Sequence, residues 1–380
     1  MTPRVVKELR EALGPHAVLT TQEELQSYDC DGLTNFRVTP TAVLLPSTAE
    51  QVQAAVRICH RERIPFVARG SGTGLSGGAL PVKDGIVIST ARMKRILDVD
   101  LVNARVTVEP GVINLDVTGR VAHAGYFYAP DPSSQSVCSI GGNVAENSGG
   151  AHCLKYGFTT THVLGLDVVL PDGELVTLGS SALDAPGYDL CGVFVGSEGT
   201  LGIMTRVILR IVKKPEQIHT LLAAFDSTNQ AGVAVSGIIA AGIVPAAIEM
   251  MDNLSIQAAE ASVHANYPNC GGLLLVELDG PTAEVEALMK QVDAVCREHG
   301  ASEIRIAQSD EERAVVWKGR KAAFAAMGRI ASNYIVQDGV IPRTALPEVM
   351  TEIAKMSRET GLRVANVFHA GDGNLHPLVL

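Results

Sequence analysis

The sequence predicts an α+β protein of two domains, and three observations lead there. Short apolar runs bounded by turn residues alternate with amphipathic helical patterns. A Lys213-Lys214-Pro215 break separates two regions of different character. The chain has 380 residues, 46% hydrophobic and 19% charged, enough to bury more than one core. The expected division is an N-terminal helical segment over 1–38, a first domain over 39–214 and a second over 215–380.

Taken in order, MTPRVVKELREALG reads as a short amphipathic helix with charges throughout and no apolar run of a secretory signal. Ser47-Thr48-Ala49-Glu50 is a capping box, and Val52, Ala55, Val56 and Cys59 recur behind it at helical spacing, so a helix runs to about Arg63. A strand over 64–68 then delivers the chain into Arg69-Gly70-Ser71-Gly72-Thr73-Gly74-Leu75-Ser76-Gly77-Gly78. Strands follow over 85–90 and 104–109, and a helix over 114–123 is closed by Gly125. Small residues dominate again from Ser139 to Ala151, where Gly141, Gly142, Gly149 and Gly150 frame Asn143 and Asn147; such a stretch lets a flat object approach the backbone. Pro171-Asp172-Gly173 joins strands over 166–170 and 174–178 as a hairpin, and Gly196-Ser197-Glu198-Gly199-Thr200-Leu201-Gly202 leads into a strand from Ile203 to Val212.

Beyond Pro215, strands over 221–225, 273–278 and 303–307 alternate with helical patterns over 230–241 and 283–299, an α+β arrangement. The uncharged segment 231–248 is long enough for a membrane span of about 18 residues. Its Ala and Gly content, the interruptions at Ser236 and Pro245 and the start signal Asp226-Ser227 favour a buried helix instead.

Composition excludes several functions. With 31 Lys and Arg against 41 Asp and Glu, a net charge of −10 opposes binding to nucleic acid phosphates or to anionic lipid. Aromatic residues make up 4% of the chain, too few for base-stacking platforms. Seven cysteines without a C-x-x-C pair lack the usual spacing of an iron–sulfur cluster or structural zinc, and a cytoplasmic location fits them.

Gly72-Thr73-Gly74-Leu75-Ser76-Gly77 matches G-x-G-x-x-G, but its context rejects a Rossmann site. That motif needs a helix starting at the loop, and Gly78-Ala79-Leu80-Pro81 leads to another strand. No Gly-Lys pair ends the loop, so it is not a Walker A loop either. Two readings remain: a nest of unobstructed amides that wraps an anion, or a flexible surface loop. The two further glycine-rich stretches favour the nest.

His369-Ala370-Gly371-Asp372-Gly373-Asn374-Leu375-His376-Pro377 forms a second constellation. Its glycines and proline forbid a helix, so the two imidazoles sit on a loop between strands. They either converge to bind a divalent metal such as Zn²⁺ or Mn²⁺, or hydrogen-bond in a polar turn.

These ordered motifs, with Ala129-Pro130-Asp131-Pro132 and Ser139-Ile140-Gly141-Gly142-Asn143-Val144-Ala145-Glu146-Asn147, closely resemble the FAD-binding domain of the vanillyl-alcohol oxidase and para-cresol methylhydroxylase superfamily. Within it the chain is most similar to the glycolate oxidase catalytic subunits, relatives of D-lactate and D-2-hydroxyglutarate dehydrogenases. The resemblance implies a two-subdomain FAD-binding domain followed by an α+β cap or substrate domain. Residues Arg69, Gly70, Ser71, Gly72, Thr73, Gly74, Leu75 and Ser76 would wrap the FAD diphosphate. The backbone at Pro130 and Asp131, at Ser139, Gly141, Gly142, Asn143, Asn147, Gly149 and Gly150, and at Glu198, Gly199 and Ile203 would line the flavin and adenosine. Many relatives attach flavin through a His in the first loop; none stands in Leu75-Ser76-Gly77-Gly78-Ala79, so non-covalent FAD is implied.

The resemblance also makes His369 and His376 the ligands of a catalytic metal. The family's Glu-His-Gly motif, which would supply a further ligand and a base, is not found before Leu380; this implies a cap domain incomplete at its C-terminus and a weakly held metal. Trp317-Lys318-Gly319-Arg320-Lys321 resembles the substrate-proximal Trp-x-x-Arg element, making Arg320 the partner of the substrate carboxylate. Without the resemblance Arg320 would read as an exposed helix charge beside Arg313 and Lys321. Phe324 and Val336 stand where hydroxyglutarate enzymes carry polar contacts, so a small monoacid fits better. The implied activity is oxidation of glycolate or D-lactate to the 2-oxo acid, with electrons passing to companion flavin and iron–sulfur subunits and the quinone pool, in the cytoplasm or at the inner membrane face. The alternative is a non-catalytic FAD-binding or assembly subunit.

Overall fold

The computed structural model of the chain describes residues 1–182 and 186–380. It forms two compact units, Met1–Gly149 with Gly157–Lys214, and Gly150–Tyr156 with Pro215–Leu380. Among the described residues no helix is long and apolar enough to cross a membrane.

The first unit holds two larger sheets, each with its own core, and a two-stranded pair of Tyr126–Phe127 with Val212–Lys213. In the four-stranded sheet, Ala42–Leu44 and Phe66–Arg69 run parallel to Ile86–Ser89, and Val18–Leu19 adds an antiparallel edge. Parallel strands need a crossover, and the helix Ala49–Glu62 carries the chain from Ala42–Leu44 to Phe66–Arg69 on the far side of Ile86–Ser89. It buries Val52, Ala55, Val56 and Cys59, the spacing visible in the sequence. Its cap lies one residue later than the expected box: Thr48 Oγ1 accepts from the Gln51 amide, and the Gln51 side chain accepts from the Ser47 amide. The amphipathic helix Pro3–Leu13 packs Val5, Leu9 and Leu13 into that same core, so residues 1–38 belong to this unit rather than standing apart.

The second sheet is antiparallel, in the order Ile96–Asp100, Arg105–Val108, Ile203–Arg210, Val163–Val169, Leu175–Gly179. The last two form the expected hairpin around Pro171-Asp172-Gly173, where Gly173 has φ of 87°. The helices Asn114–Val121 and Ile140–Glu146 contribute Val117, Val121, Ile140 and Val144 to its core.

The second unit is a seven-stranded antiparallel sheet in the order Glu303–Ile306, Gln217–Phe225, Gly272–Gly280, Ala247–Asp252, Val364–Phe368, Pro377–Val379, Ile335–Val336. Alternation along the strands creates two buried faces. One carries Leu221, Ala223, Phe225, Leu274, Val276 and Met250 against Thr228–Ala240, Thr282–Glu298 and Leu346–Thr360. The other carries Leu222, Leu273, Leu275, Ala247 and Met251 against Asn253–Val263 and Asp310–Ala326.

The expected buried helix over 231–248 is shorter than that. The helix ends at Ala240, Gly242 turns the chain at φ of 77°, and Pro245 precedes the strand Ala247–Asp252. This strand was hidden inside the apolar run.

Candidate functional site

The loop 70–80 contains no helix, and its backbone is supported from below. Arg69 is buried, and its Nη1 donates to the carbonyls of Cys30 at 2.7 Å and Ala79 at 3.1 Å, so the guanidinium ties the two ends of the loop rather than pointing outward. Gly72, at φ of 71°, lies against that guanidinium, leaving no room for a side chain. The Ser71 amide donates to Ser139 Oγ at 3.3 Å, the Gly77 amide to Asp31 Oδ2 at 2.9 Å, and Ser76 Oγ to Glu146 Oε2 at 3.2 Å. Between these anchors the amides of Gly72, Thr73, Gly74 and Leu75 donate to no acceptor among the described residues. Unpaired consecutive amides with glycine at every second position are a backbone that can wrap an anion. The Ser76 hydroxyl, by contrast, is directed at a carboxylate.

The second glycine-rich stretch is held by a buried amide relay. Asn114 Nδ2 donates to the Pro130 carbonyl at 3.1 Å and to Asn143 Oδ1 at 2.9 Å, while Asn143 Nδ2 reaches Cys138 Sγ and Ser148 Oγ, both at 3.3 Å. A Cβ on Gly70 would overlap Ser139 Oγ, and one on Gly141 would lie 2.6 Å from Pro110 Cβ. Close backbone approach therefore accounts for these glycines. Asn147 and Glu198 adopt positive φ, 49° and 54°, and Gly199 follows at 73°. The Glu198 amide donates to Ala145 O at 2.8 Å, which joins the third stretch to the second. Burial, with the Glu198 charge beside it, pushes the Glu146 carboxyl above its usual range. The Ile203 side chain belongs to the core, so only its backbone can line a ligand. Asp131 engages neighbouring protein atoms. Gly149 closes the first unit, and Gly150 opens the excursion Gly150–Tyr156 into the second, its amide on Cys153 Sγ at 3.0 Å.

In the second unit His369 and His376 lie beside each other, with ring centroids 5.1 Å apart and planes at 89°. The strand Val364–Phe368 delivers His369, whose backbone pairs with Asn374, and the turn closes through Gly373 at φ of 72°. Each Nδ1 meets a carboxylate: His369 Nδ1 lies 2.9 and 3.0 Å from the two oxygens of Glu249, and His376 Nδ1 lies 3.3 Å from Asp338 Oδ1. A carboxylate on Nδ1 leaves Nε2 as the donor atom toward a ligand or metal. Among the described residues no group of three or more His, Cys, Asp or Glu is placed to hold a metal ion. Burial pushes the Asp372 carboxyl up to about 6, against the pull of His369. Phe324 packs edge-on to His376 at 5.7 Å.

Arg320 is buried, not an exposed helix charge. Its Nη2 is in ion-pair contact with Glu249 Oε2, outside hydrogen-bonding geometry, and neither Nε nor Nη2 makes a hydrogen bond. Arg313, Trp317 and Arg320 form one stripe of the helix Asp310–Ala326, four and three residues apart. The stripe meets two carboxylates on the adjacent strands, Glu249 and Glu277, each 1% exposed. Sequence reasoning missed both. A signal existed: each is a single Glu in an otherwise apolar run, AAIEMM and LLLVEL, and a lone buried acid needs a cation.

Residues 40–179 match the FAD binding domain family, and residues 214–380 match the C-terminal domain of FAD linked oxidases. The glycolate oxidase subunit GlcD of Escherichia coli (strain K12) is 52% identical over 99% of this chain and 76% of its own length. The chain belongs to the FAD-linked oxidase family. The D-lactate dehydrogenase of Anaerostipes hadrus, a further relative, is 31% identical over 99% of this chain and 81% of its own length. The solved structure of p-cresol methylhydroxylase with substrate bound superposes with a TM-score of 0.82 at 17% identity, covering 99% of this chain and 82% of that one. That likeness shows the fold expected from the glycine motifs. This FAD-linked oxidase is thus a flavoprotein whose cofactor is FAD.

Proposed function

We propose that this FAD-linked oxidase converts a short 2-hydroxy acid, glycolate or D-lactate, to the 2-oxo acid. The observation that carries the reading is the pair of carboxylate-anchored imidazoles beside a buried guanidinium with two unsatisfied donors. A substrate carboxylate would pair with the Arg320 guanidinium, whose Nε has no acceptor and whose Nη2 meets Glu249. The hydroxyl then meets the ring nitrogens of His369 and His376. A base other than these two imidazoles would take its proton as the carbon loses hydride. Phe324, against His376, leaves an apolar wall where a second carboxylate would need a cation. A one-acid substrate suits that wall.

The diphosphate of FAD would lie on the amides of Gly72, Thr73, Gly74 and Leu75, with the backbone around Ser139, Gly141, Gly142, Asn143 and Gly149 admitting the flat ring. FAD, when bound non-covalently there, supplies the acceptor for the two electrons. A divalent metal, Zn²⁺ or Mn²⁺, would be held by His369 and His376 and would polarise the hydroxyl oxygen. Electrons would leave to companion flavin and iron–sulfur subunits and on to quinone at the inner face of the membrane; the word subunit in the name of the Escherichia coli relative supports a complex.

Anaerobic mixing of the FAD-loaded, metal-supplemented protein with glycolate, D-lactate or L-lactate tests the reading. Bleaching of the flavin band by glycolate or D-lactate supports it. FAD that stays oxidised with all three assigns the chain a non-catalytic, FAD-binding role.

A further inference from the structure

We propose that Glu249 is the positioning residue of the hydroxy-acid site, one carboxylate that sets both the tautomer of His369 and the place of Arg320. The inference deepens the reading above and rests on it for the identity of the substrate.

Glu249 is the third residue of the strand Ala247–Asp252, flanked across the sheet by Leu275 and packed on the face that carries Ala247 and Met251. An ionised carboxylate there, 1% exposed, needs both of its oxygens engaged. Both are. Oε1 and Oε2 lie 2.9 and 3.0 Å from His369 Nδ1, and Oε2 is also the ion-pair partner of Arg320 Nη2. An ionised carboxylate is acceptor-only, so a neutral His369 must carry its proton on Nδ1 and present the Nε2 lone pair. Arg320 receives its counter-charge from the same group while Nε and Nη2 remain without hydrogen bonds. The strand position therefore registers the two groups that would handle the hydroxyl and the carboxylate of one small molecule.

The amide of Glu249→Gln has nearly the same shape but one acceptor and one NH₂ donor. Placing the oxygen at the Oε2 position, on Arg320, leaves the NH₂ group at the Oε1 position, the nearer contact of Nδ1; that contact makes Nδ1 the acceptor and moves the imidazole proton to Nε2. Glu249→Asp keeps the acceptor-only chemistry on a shorter arm.

The test uses long-range ¹⁵N–¹H correlation spectra of the FAD-loaded protein, labelled at histidine, at a pH where imidazole is neutral. His369 is assigned by its loss in His369→Gln. The expected result is an Nδ1–H signal for His369 in the unsubstituted protein and an Nε2–H signal in Glu249→Gln. With it should go a loss of about 10- to 100-fold in kcat/KM for the hydroxy acid, partly restored by Glu249→Asp, with FAD content unchanged. Nε2–H in the unsubstituted protein overturns the proposal whatever the variants do, including a Glu249→Gln that does not fold. Nδ1–H retained in Glu249→Gln also overturns it. If the tautomer switches as described but no hydroxy acid reduces the flavin, the substrate reading fails and the positioning role stands.

Discussion

Arg313 and Glu277 meet in a two-point ion pair, Nε to Oε2 and Nη2 to Oε1, both 2.8 Å long. Trp317 Nε1 and Thr220 Oγ1 donate to the same carboxylate at 2.6 Å, and His152 reaches it at 3.0 Å. Burial alone would raise the Glu277 carboxyl, but the hydrogen bonds and charges of His152 and Arg313 outweigh it and hold the group far below the usual range. A depressed folded pKa contributes stability above the unfolded value of about 4.3 and loses it as pH falls further. Thermal stability should therefore fall steeply below about pH 4, and Glu277→Gln should cost about 3–5 kcal/mol at pH 7 while flattening that acid slope. Trp317, the single tryptophan of the chain, reports the change directly by fluorescence.

Gly141→Ala should impair FAD binding without unfolding the second unit. Its Cβ would press Pro110, whose carbonyl accepts the Gly141 amide at 2.7 Å, so backbone must move. Overpacking of about 1–3 kcal/mol corresponds to a Kd for FAD raised by about 5- to 100-fold, readable by flavin fluorescence titration.

Arg320→Lys keeps the charge opposite Glu249 and removes the planar fork. The expected result is a KM for glycolate or D-lactate raised about 10- to 100-fold, with FAD content unchanged. Loss of FAD with normal KM would assign Arg320 to folding alone. Arg320→Ala should in addition lower the melting temperature, because Glu249 then keeps only His369 as partner.

Metal content should follow the imidazoles. Dialysis against Zn²⁺ or Mn²⁺ followed by elemental analysis should find metal in the unsubstituted protein and about tenfold less or none in His369→Ala, with equal FAD in both. Equal metal in both proteins would remove His369 from that role.

The glycine loops and the histidine turn were legible because their residue types leave the backbone few choices: Gly72 and Gly373 adopt positive φ, and Pro245 lies between the helix Thr228–Ala240 and the strand Ala247–Asp252. The glycines between His369 and His376 likewise pointed to a loop, and the turn there sets the two rings 5.1 Å apart. What stayed hidden was long-range. Glu249 lies 120 residues from His369, and the apolar run before it masked the strand that carries it. The exposed reading of Arg320 failed for the same reason, since its burial depends on a carboxylate supplied by a different strand. The excursion Gly150–Tyr156 was equally invisible; it leaves the first unit because Tyr156 and Lys155 bond Asp279, and His152 bonds Glu277.

If unpaired amides at Gly72, Thr73, Gly74 and Leu75 hold the diphosphate of FAD, the protein must discriminate among FAD, FMN and riboflavin. Equilibrium titration of the flavin-free protein should give a Kd for FAD at least about a hundredfold below those for FMN and riboflavin, as two or more charge-assisted hydrogen bonds require. Equal affinity for FAD and riboflavin, or no binding of FAD, would contradict the account.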